Sequence, residues 1–247
     1  MLVEFTDPRL VAAYDTLNPY DADAQPAFYR SLAAELGAET VIDLGCGTGL
    51  LACELAERGF RMIGVEPAPS MLEQARRRPC TGAVQWINGG AEALGTPHVD
   101  LAIMTGHVAQ FFLADDDWHG ALVALRAALR HDGHLAFESR NPDAHEWEQW
   151  VPEQRRSVHD PVAGPITTWL EVHDARDGVV TYTIHYEFAG TGEHVVAPSV
   201  LRFRSEPELV ASLADAGFAV ERVYGDWDRR PASPTTRELI VVARRLD

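Results

Sequence analysis

The sequence contains few of the features that mark a secreted, membrane or zinc-binding protein. Its 247 residues include only three cysteines, at positions 46, 53 and 80, which are too few and too scattered to predict a disulfide framework or a zinc knuckle. No apolar run approaches the roughly 18 residues that a membrane span needs, and the N-terminus lacks the regions of a secretory signal. These absences predict a cytoplasmic protein whose thiols need no partner.

Positive charge is also scarce. The chain has 21 basic and 37 acidic side chains, which gives a formal net charge of −16 with histidine neutral. This charge repels polyanions, and the densest basic run, Arg76-Arg77-Arg78, is short and comes at a predicted helix end. We therefore expect neither nucleic acid nor a membrane as a partner.

The apolar pattern predicts an α/β fold with a mostly parallel sheet, because buried-strand runs alternate with helical patterns. The predicted strands are residues 41–45, 61–66, 83–88, 99–106 and 134–140. The predicted helices between them are residues 48–59, 70–78 and 113–133. Ser70 and Glu73 fit a capping box for the second of these helices.

The sequence pattern changes after residue 140, where the alternation of strands and helices ends. Three β-rich runs at residues 166–174, 179–189 and 194–204, separated by turn residues, predict an antiparallel meander. A helix capped by Ser205 and Glu208 then precedes two strands at residues 218–227 and 238–246. An exposed edge of the meander makes pairing with a second copy, and hence a homodimer, a hypothesis.

We interpret the chain as one domain with four parts. These are a helical cap (residues 1–37), a cofactor-binding core (38–140), a substrate-side lid with the β-meander insertion (141–204) and the end of the core sheet (205–247).

A glycine-rich turn between the first strand and its helix is the strongest functional signal. Glycines 45, 47 and 49 let the backbone turn sharply and approach a ligand closely, but dinucleotide sites use a similar device. The spacing G-x-G-x-G is one residue shorter than the dinucleotide pattern, and Asp43 comes two residues before the first glycine. A carboxylate there suits a cationic ligand group better than a pyrophosphate.

Glu66 is the second signal. It ends the next predicted strand, 17 residues after the last glycine of the turn (66 − 49). A carboxylate at that position can accept hydrogen bonds from both hydroxyls of a ribose. The alternative is a solvated acid at a strand end.

Five segments of the chain resemble the motifs of the class I S-adenosylmethionine-dependent methyltransferases: VIDLGCGTGLLA, GVEPAPSML, NGGAEAL, VDLAIMTGHVAQFF and HDGHLAFESRN. The resemblance covers residues 38–140 and resumes at residues 205–246. It implies a Rossmann-like α/β fold, with a seven-stranded sheet whose last strand is antiparallel and S-adenosylmethionine at the carboxyl ends of the first strands.

The resemblance also assigns residues to parts of this cofactor. It gives Asp43, Gly45, Cys46, Gly47, Thr48 and Gly49 to the methionine portion, Glu66 to the ribose, Pro67 and Met71 to the adenine, and Ala91 and Glu92 to the adenine edge. It gives Thr105, Gly106 and His107 to the sulfonium, and Tyr14 with Asp15 to an N-terminal pair that closes over the cofactor. The family commonly has an aspartate where this chain has Gly90, which leaves backbone groups at residues 90–92, or Glu92, to bind the adenine amino group.

His107 is the candidate base, because it follows the fourth strand at the rim where the methyl group is expected and histidine titrates near neutral pH. A histidine that only packs against the cofactor or caps a helix is the alternative. Glu138, Arg140 and Asn141 end the fifth strand and are candidates for binding a polar substrate group, unless Glu138 simply pairs with Arg140. Tyr20 in the cap and Trp147 in the lid are further substrate candidates, although a helix packing on the meander also explains Trp147.

The expected activity is methyl transfer from S-adenosylmethionine to a small molecule by in-line displacement, with the acceptor atom (O, N or C) undetermined. No metal is expected, because the histidines do not combine into a ligand set. Three alternatives stay open: an NAD-binding oxidoreductase on a related sheet, a cofactor-binding protein of this fold without methyl transfer, and a methyltransferase acting on protein or peptide.

Overall fold

The computed structural model describes residues 1–19 and 24–247. Tyr20, a predicted substrate residue, therefore lies outside the described residues. Within them, seven α-helices are formed: α1 (Pro8–Ala12), α2 (Tyr14–Leu17), α3 (Ala24–Glu35), α4 (Leu50–Glu57), α5 (Pro69–Ala75), α6 (Asp115–Ala128) and α7 (Glu206–Asp215). The strands are β1 (Thr40–Leu44), β2 (Arg61–Glu66), β3 (Val84–Asn88), β4 (Val99–Met104), β5 (Leu129–Arg140), β6 (Arg156–Asp160), β7 (Gly164–Arg176), β8 (Val179–Phe188), β9 (Glu193–Arg202), β10 (Phe218–Tyr224) and β11 (Glu238–Arg245).

Seven of these strands form one sheet in the order β10-β11-β5-β4-β1-β2-β3. The pairs among β1 to β5 are parallel, whereas the final strand β11 runs antiparallel to both of its neighbours. The predicted Rossmann-like sheet with an antiparallel last strand is therefore confirmed. Its order reverses beside β1, which is where open α/β sheets bind ligands at the carboxyl ends of their strands.

The central strands of the sheet, β1, β2 and β4, are buried on both faces, and their sequences are apolar along most of their length. Within β1, Ile42 and Leu44 pack with α6 and α7 on one face, while Val41 packs with α3 and α4 on the other. All three side chains are at most 2% exposed. Helices on both faces explain why the sequence shows continuous hydrophobic runs here instead of alternation.

The insertion forms a separate antiparallel sheet, β6-β7-β8-β9, which we call the insertion sheet. Its predicted turn at Asp177 and Gly178 is confirmed, and both residues have positive φ. The sequence predicts three strands, but β6 adds a fourth at the outer edge of β7. This strand was missed because its residues are polar and mostly exposed.

Two helix predictions are wrong in detail. Helix α5 begins one residue before Ser70, whose hydroxyl donates to the carbonyl of Phe5 (2.7 Å) instead of capping the helix. Helix α6 ends at Ala128, five residues before the predicted end, because residues 129–133 already belong to β5 and begin its pairing with β4. The capping box at Ser205 and Glu208 is confirmed.

The cysteines also differ from the prediction of unpaired thiols. Cys53 on α4 and Cys80, which precedes β3, form a disulfide with their Cα atoms 5.4 Å apart, and Cys46 is free and buried. A separation of 27 residues hides this contact from the sequence, because only the packing of α4 against the segment before β3 brings the two side chains together.

Candidate active site

The turn after β1 requires glycine at two positions. Gly45 has φ +78°, and a Cβ atom built there meets Val108 Cγ2 at 2.4 Å. Gly49 has φ +76°, and a Cβ atom there meets the indole of Trp86 at 2.5 Å. Because L side chains rarely adopt this conformation and no space exists for one, positions 45 and 49 of the segment 45–49 present bare backbone at the carboxyl edge of the sheet. We call this segment the glycine turn.

Asp43 lies immediately before the glycine turn and is only 1% exposed. Its Oδ1 atom has no hydrogen-bond partner among the described residues, and burial raises its pKa to about 7. An unpartnered buried carboxylate is costly unless a donor or a cation meets it. Asp43 is therefore suited to bind a cationic ligand group.

Glu66 faces the glycine turn from the end of β2. Its Oε2 atom accepts from the amide of Gly47 (3.0 Å) and its Oε1 atom accepts from the amide of Ala68 (2.8 Å). Burial nevertheless raises the pKa of this carboxyl. The two amides fix the orientation of the carboxylate, and each oxygen keeps a lone pair for a ligand hydroxyl.

The residues assigned to the adenine lie beyond Glu66, at the ends of β2 and β3. Pro67 is exposed, whereas Met71 is 1% exposed and packs with Val11. The carboxylate of Glu92 folds back to accept from the amide of Gly90 (2.8 Å). Ala91 is buried beside them at the edge of the core.

A cavity of about 620 Å³ opens at the carboxyl edge of β1, β4 and β5. We call it the main cavity. Ten of the predicted site residues line it: Tyr14, Asp15, Gly45, Cys46, Gly47, Thr48, Thr105, Gly106, His107 and Arg140. The helical cap and the insertion sheet supply the opposite walls. The cavity thus joins the glycine turn to the parts of the chain outside the core.

His107 has a strained backbone and a carboxylate partner. Its φ of +62° is uncommon for a residue with a side chain. Glu138 holds this conformation by accepting from the amides of Gly106 (2.5 Å) and His107 (3.1 Å). The ring atom Nε2 lies 3.0 Å from Oε2 of Glu238, the first residue of β11.

Burial sets the protonation of this pair. It lowers the pKa of His107 to about 3 and raises the pKa of Glu238 to about 7. The imidazole is therefore neutral at neutral pH and free to accept a proton, but a pKa this far below neutrality makes it a weak base in the ligand-free protein.

Three of the predicted substrate residues do not line the main cavity. Glu138 is fully buried and also accepts from Tyr29 and from Gln25 (2.9 Å). The amide of Asn141 donates to the carbonyls of residues 233 and 236, so its side chain fixes a loop. Trp147 packs on Phe203, with ring centroids 4.8 Å apart, while its neighbour Trp150 reaches the cavity.

Arg140 does not pair with Glu138. Its guanidinium donates to Gln110 Oε1 (2.9 Å), lies 3.4 Å from Glu146 and stacks over the ring of Trp150.

The cap is tied to the glycine turn by three side chains, which we call the N-terminal latch. The hydroxyl of Thr48 donates to Asp15 Oδ1 (2.5 Å) on α2. Arg78, after α5, contacts the other oxygen of Asp15 and donates through Nε to the carbonyl of Thr48 (2.6 Å). The latch places Tyr14, the neighbour of Asp15, in the cavity wall.

Sequence reasoning missed Glu238 and Arg78. Glu238 is 131 positions from the histidine it contacts, and its position at the start of an apolar strand gives no functional signal. Arg78 was interpreted as a helix-end cation. Only the three-dimensional packing identifies either residue.

The described part of the chain contains neither a helix that could span a membrane nor a cluster of metal-ligating side chains. None of its helices is both long and apolar enough to cross a membrane. No group of three or more His, Cys, Asp or Glu side chains within residues 1–19 and 24–247 is arranged to hold a metal ion.

Comparison with known proteins identifies the family. A family model described as a methyltransferase domain matches residues 41–133. A cypemycin N-terminal methyltransferase from a Streptomyces species is 27% identical over 253 residues, which cover 97% of each chain. A glycine/sarcosine N-methyltransferase from Parasynechococcus marenigrum is 25% identical over 224 residues, 86% of this chain and 74% of the relative. The chain is a class I S-adenosylmethionine-dependent methyltransferase.

The fold of this methyltransferase matches solved structures as well. A structure with bound S-adenosylmethionine, an amino pentose methyltransferase of calicheamicin biosynthesis from Micromonospora echinaspora, superposes with a TM-score of 0.72 at 22% identity and covers 95% of each chain. The family membership decides between the two cofactors that the glycine turn left open, in favour of S-adenosylmethionine. The bare glycine turn and the unpartnered Oδ1 of Asp43 fit this cofactor, whose methionine portion carries a cationic amine.

Proposed function

We propose that this methyltransferase transfers a methyl group to a small molecule bound in the main cavity. The observation that carries the proposal is the cavity itself, about 620 Å³ in volume, with the glycine turn and His107 on one side and the insertion sheet on the other. Binding sites for small molecules have this size and mixed lining. The names of the relatives, which mention glycine, sarcosine and an amino pentose, support a small acceptor.

The residues at the carboxyl ends of β1 and β2, beside the main cavity, would hold the cofactor. Asp43 and the amides of the glycine turn suit the aminoacyl portion, and Glu66 suits the ribose hydroxyls. Bound there, S-adenosylmethionine supplies a methyl group that its sulfonium already activates. The protein's main task is then to orient the acceptor and exclude water, and orientation of this kind lowers barriers by about 7–11 kcal/mol in the best model systems.

We assign the base role to His107, with Glu238 as the residue that orients it. When Nε2–H donates to the Glu238 carboxylate, Nδ1 keeps its lone pair for a proton of the acceptor. Glu138 fixes the backbone that carries the ring. A carboxylate, an oriented imidazole and a bound acceptor form the usual arrangement of a general base.

The proposed division of labour follows the four parts predicted from the sequence. Residues 38–140 and 205–247 bind the cofactor, and residues 1–37 and 141–204 select the acceptor. Arg140 and Trp150, which lie at the junction of core and lid, are the proposed contacts for a polar acceptor group.

Two measurements test the function. Thermal unfolding with S-adenosylhomocysteine, S-adenosylmethionine or NAD should give a rise in midpoint with the first two and none with NAD. Incubation with S-adenosylmethionine and pooled metabolites should then give S-adenosylhomocysteine together with a metabolite heavier by one methyl group. Cofactor binding without any methylated product across broad pools would favour a non-catalytic role.

We also propose a cytoplasmic location, because the methyl donor is a metabolite of the cell interior. The Cys53–Cys80 pair would be largely reduced there, so rapid alkylation in intact cells should label both thiols. A homodimer through an edge of the insertion sheet stays a prediction. Light scattering that gives a mass near 27.2 kDa would refute it.

A further inference from the structure

Four carboxylates line the main cavity, and three of them already have partners. Asp15 belongs to the N-terminal latch, Glu146 forms an ion pair with Arg140, and Glu238 contacts an imidazole. The fourth, Glu4, has neither a hydrogen bond nor an ion pair with any residue of the described chain. It is the acidic group in this wall that is available to a ligand.

Glu4 shares the cavity wall with aromatic residues. Three tyrosines that line the same cavity, Tyr14, Tyr182 and Tyr186, have their pKa raised by burial first and by the nearby charge of Glu4 second. Burial raises the pKa of Glu4 itself to about 7. A cation beside Glu4 would stabilise its ionised form and remove this cost.

Further aromatic side chains line the same wall of the main cavity. The centroids of Phe5 and Phe111 are 5.7 Å apart in an edge-on contact, and those of Trp150 and Tyr182 are 5.1 Å apart. All four residues line the cavity. Aromatic faces attract alkylammonium groups, and the attraction is stronger where the cation is removed from water.

The two arginines of the cavity are committed to other partners. Arg140 is held by Gln110 and Glu146, and Arg156 donates to the carbonyl of Leu17. Neither forms an ion pair with Glu4, so within residues 1–19 and 24–247 this carboxylate has no cationic partner.

We propose that Glu4 and the three tyrosines, Tyr14, Tyr182 and Tyr186, form a subsite for a positively charged alkylammonium group of the methyl acceptor. This inference rests on the proposed function, since it names the class of molecule that the cavity takes. A protonated amine has no lone pair, so the group held at Glu4 in its charged form is a recognition handle. The atom that receives the methyl group is a different one, or the same nitrogen after it has lost its proton.

The test compares a cation with its uncharged counterpart in the protein saturated with S-adenosylhomocysteine. Choline and neohexyl alcohol are suitable probes, because carbon replaces the charged nitrogen in the second. Calorimetry should show choline binding at least about 10-fold more tightly than the alcohol, equivalent to roughly 1.4 kcal/mol. Equal affinities, or binding of neither probe, would overturn the subsite.

Substitutions test whether Glu4 and Tyr182 cause the tighter binding of choline. Glu4→Gln keeps the size of the side chain and should abolish the preference for choline, while Tyr182→Leu should weaken it. Glu73→Gln is the matched control, because among the described residues this exposed acid on α5 pairs only with Arg77. A preference that survives Glu4→Gln contradicts the proposal.

Binding of S-adenosylhomocysteine separates this inference from the proposed function. If wild-type protein fails to bind the nucleoside, the proposed function fails. If it binds the nucleoside without distinguishing the two probes, only the subsite fails.

Discussion

At the scale of single residues, the site is defined by carboxylates in unusual surroundings. Asp43 and Glu66 could be predicted from the sequence, because each comes at a fixed distance from a glycine pattern and at the end of an apolar strand. Glu238 and Glu4 could not, since their importance depends on what they meet in space. Local spacing identifies candidate binding residues beside a turn, whereas contacts between distant segments appear only in the folded chain.

Asp43 should control the affinity for S-adenosylhomocysteine. Leaving the ligand's buried amine without its partner costs about 3–5 kcal/mol, so Asp43→Asn should weaken binding by about 100-fold or more in calorimetry. Asp116→Asn, an exposed change on α6, serves as the control and should bind normally. An Asp43→Asn protein with wild-type affinity would show that the carboxylate does not meet the cofactor.

The same residue should make binding depend on pH. Because burial raises the pKa of Asp43 to about 7, the carboxyl is largely protonated below that pH and cannot pair with an ammonium group. Affinity should therefore increase from about pH 5.5 to about pH 7.5, with proton release on binding. Titrations in buffers of different ionisation enthalpy measure both effects. Asp43→Asn should lose this pH dependence, and a flat wild-type profile would contradict the assignment.

Glu238 should act through His107. Glu238→Gln removes the charge that orients the ring, so we expect kcat for the identified acceptor to fall by roughly 10- to 100-fold, while the affinity for S-adenosylhomocysteine stays the same. His107→Asn should cost about 100-fold or more, in the range of lost proton-transfer catalysis. The double variant should be no slower than His107→Asn, because the two side chains act as a unit.

The control for this pair is His145→Asn, which changes an exposed histidine in the lid. If Glu238→Gln turns over as fast as the wild type, Glu238 has no part in the reaction.

At the scale of elements, the core was predictable and the boundaries were not. Strands β1, β2 and β4 are apolar because both of their faces are covered, and such runs are visible in the sequence. The polar strand β6 was missed because its pairing with β7, and not burial of its own side chains, makes it a strand. Likewise, the Ser70 hydroxyl found a tertiary partner that local pattern rules cannot include.

The N-terminal latch connects one of these elements, α2, to cofactor binding. Arg78→Met removes the cation that contacts both Asp15 and the carbonyl of Thr48. We expect S-adenosylhomocysteine to bind about 3- to 10-fold more weakly, mainly through faster dissociation in stopped-flow measurements, because partly exposed ion pairs are worth about 1 kcal/mol. Arg77→Met is the matched control, since the one ion pair of Arg77 within the described residues is with exposed Glu73. Equal dissociation rates in the two variants would rule out the latch.

At the scale of the whole molecule, the buried carboxyl groups of the site lower the stability of the folded protein. Burial raises the pKa of five carboxyl groups: Glu4, Asp43, Glu66, Glu138 and Glu238. All five lie in or beside the site, within a chain whose net charge is −16. The folded protein therefore holds acids that would ionise more easily if it unfolded, and a positively charged cofactor relieves part of this cost.

The difference in carboxyl pKa between the folded and the unfolded protein predicts how the stability of the ligand-free protein changes with pH. A group whose pKa is higher in the folded state than in the unfolded chain keeps its proton on folding, so its contribution declines as pH rises from its unfolded pKa to its folded pKa. For Glu4, Asp43 and Glu238, whose pKa is raised to about 7, this interval runs from about pH 4 to about pH 7. Glu66 and Glu138, whose pKa is also raised, act in the same direction. His107, with its lowered pKa, acts in the opposite direction up to about pH 6.5, but it is one group against five. Acids with lowered pKa, such as Asp100 and Asp160, contribute only near and below pH 4.

Urea unfolding of the empty protein should therefore give a free energy at about pH 5 that exceeds the value at about pH 7.5 by at least about 2 kcal/mol. Asp43→Asn should reduce this difference because it removes one of the five acids, whereas Asp116→Asn should leave it unchanged. Saturating S-adenosylhomocysteine should also reduce it, since the ligand stabilises the ionised form of Asp43 and so adds more stability at the higher pH. An unfolding free energy that rises steadily from pH 5 to pH 7.5 would mean that these carboxyl groups are already ionised and paired in the folded protein, and the cation-binding role of Asp43 would lose its physical basis.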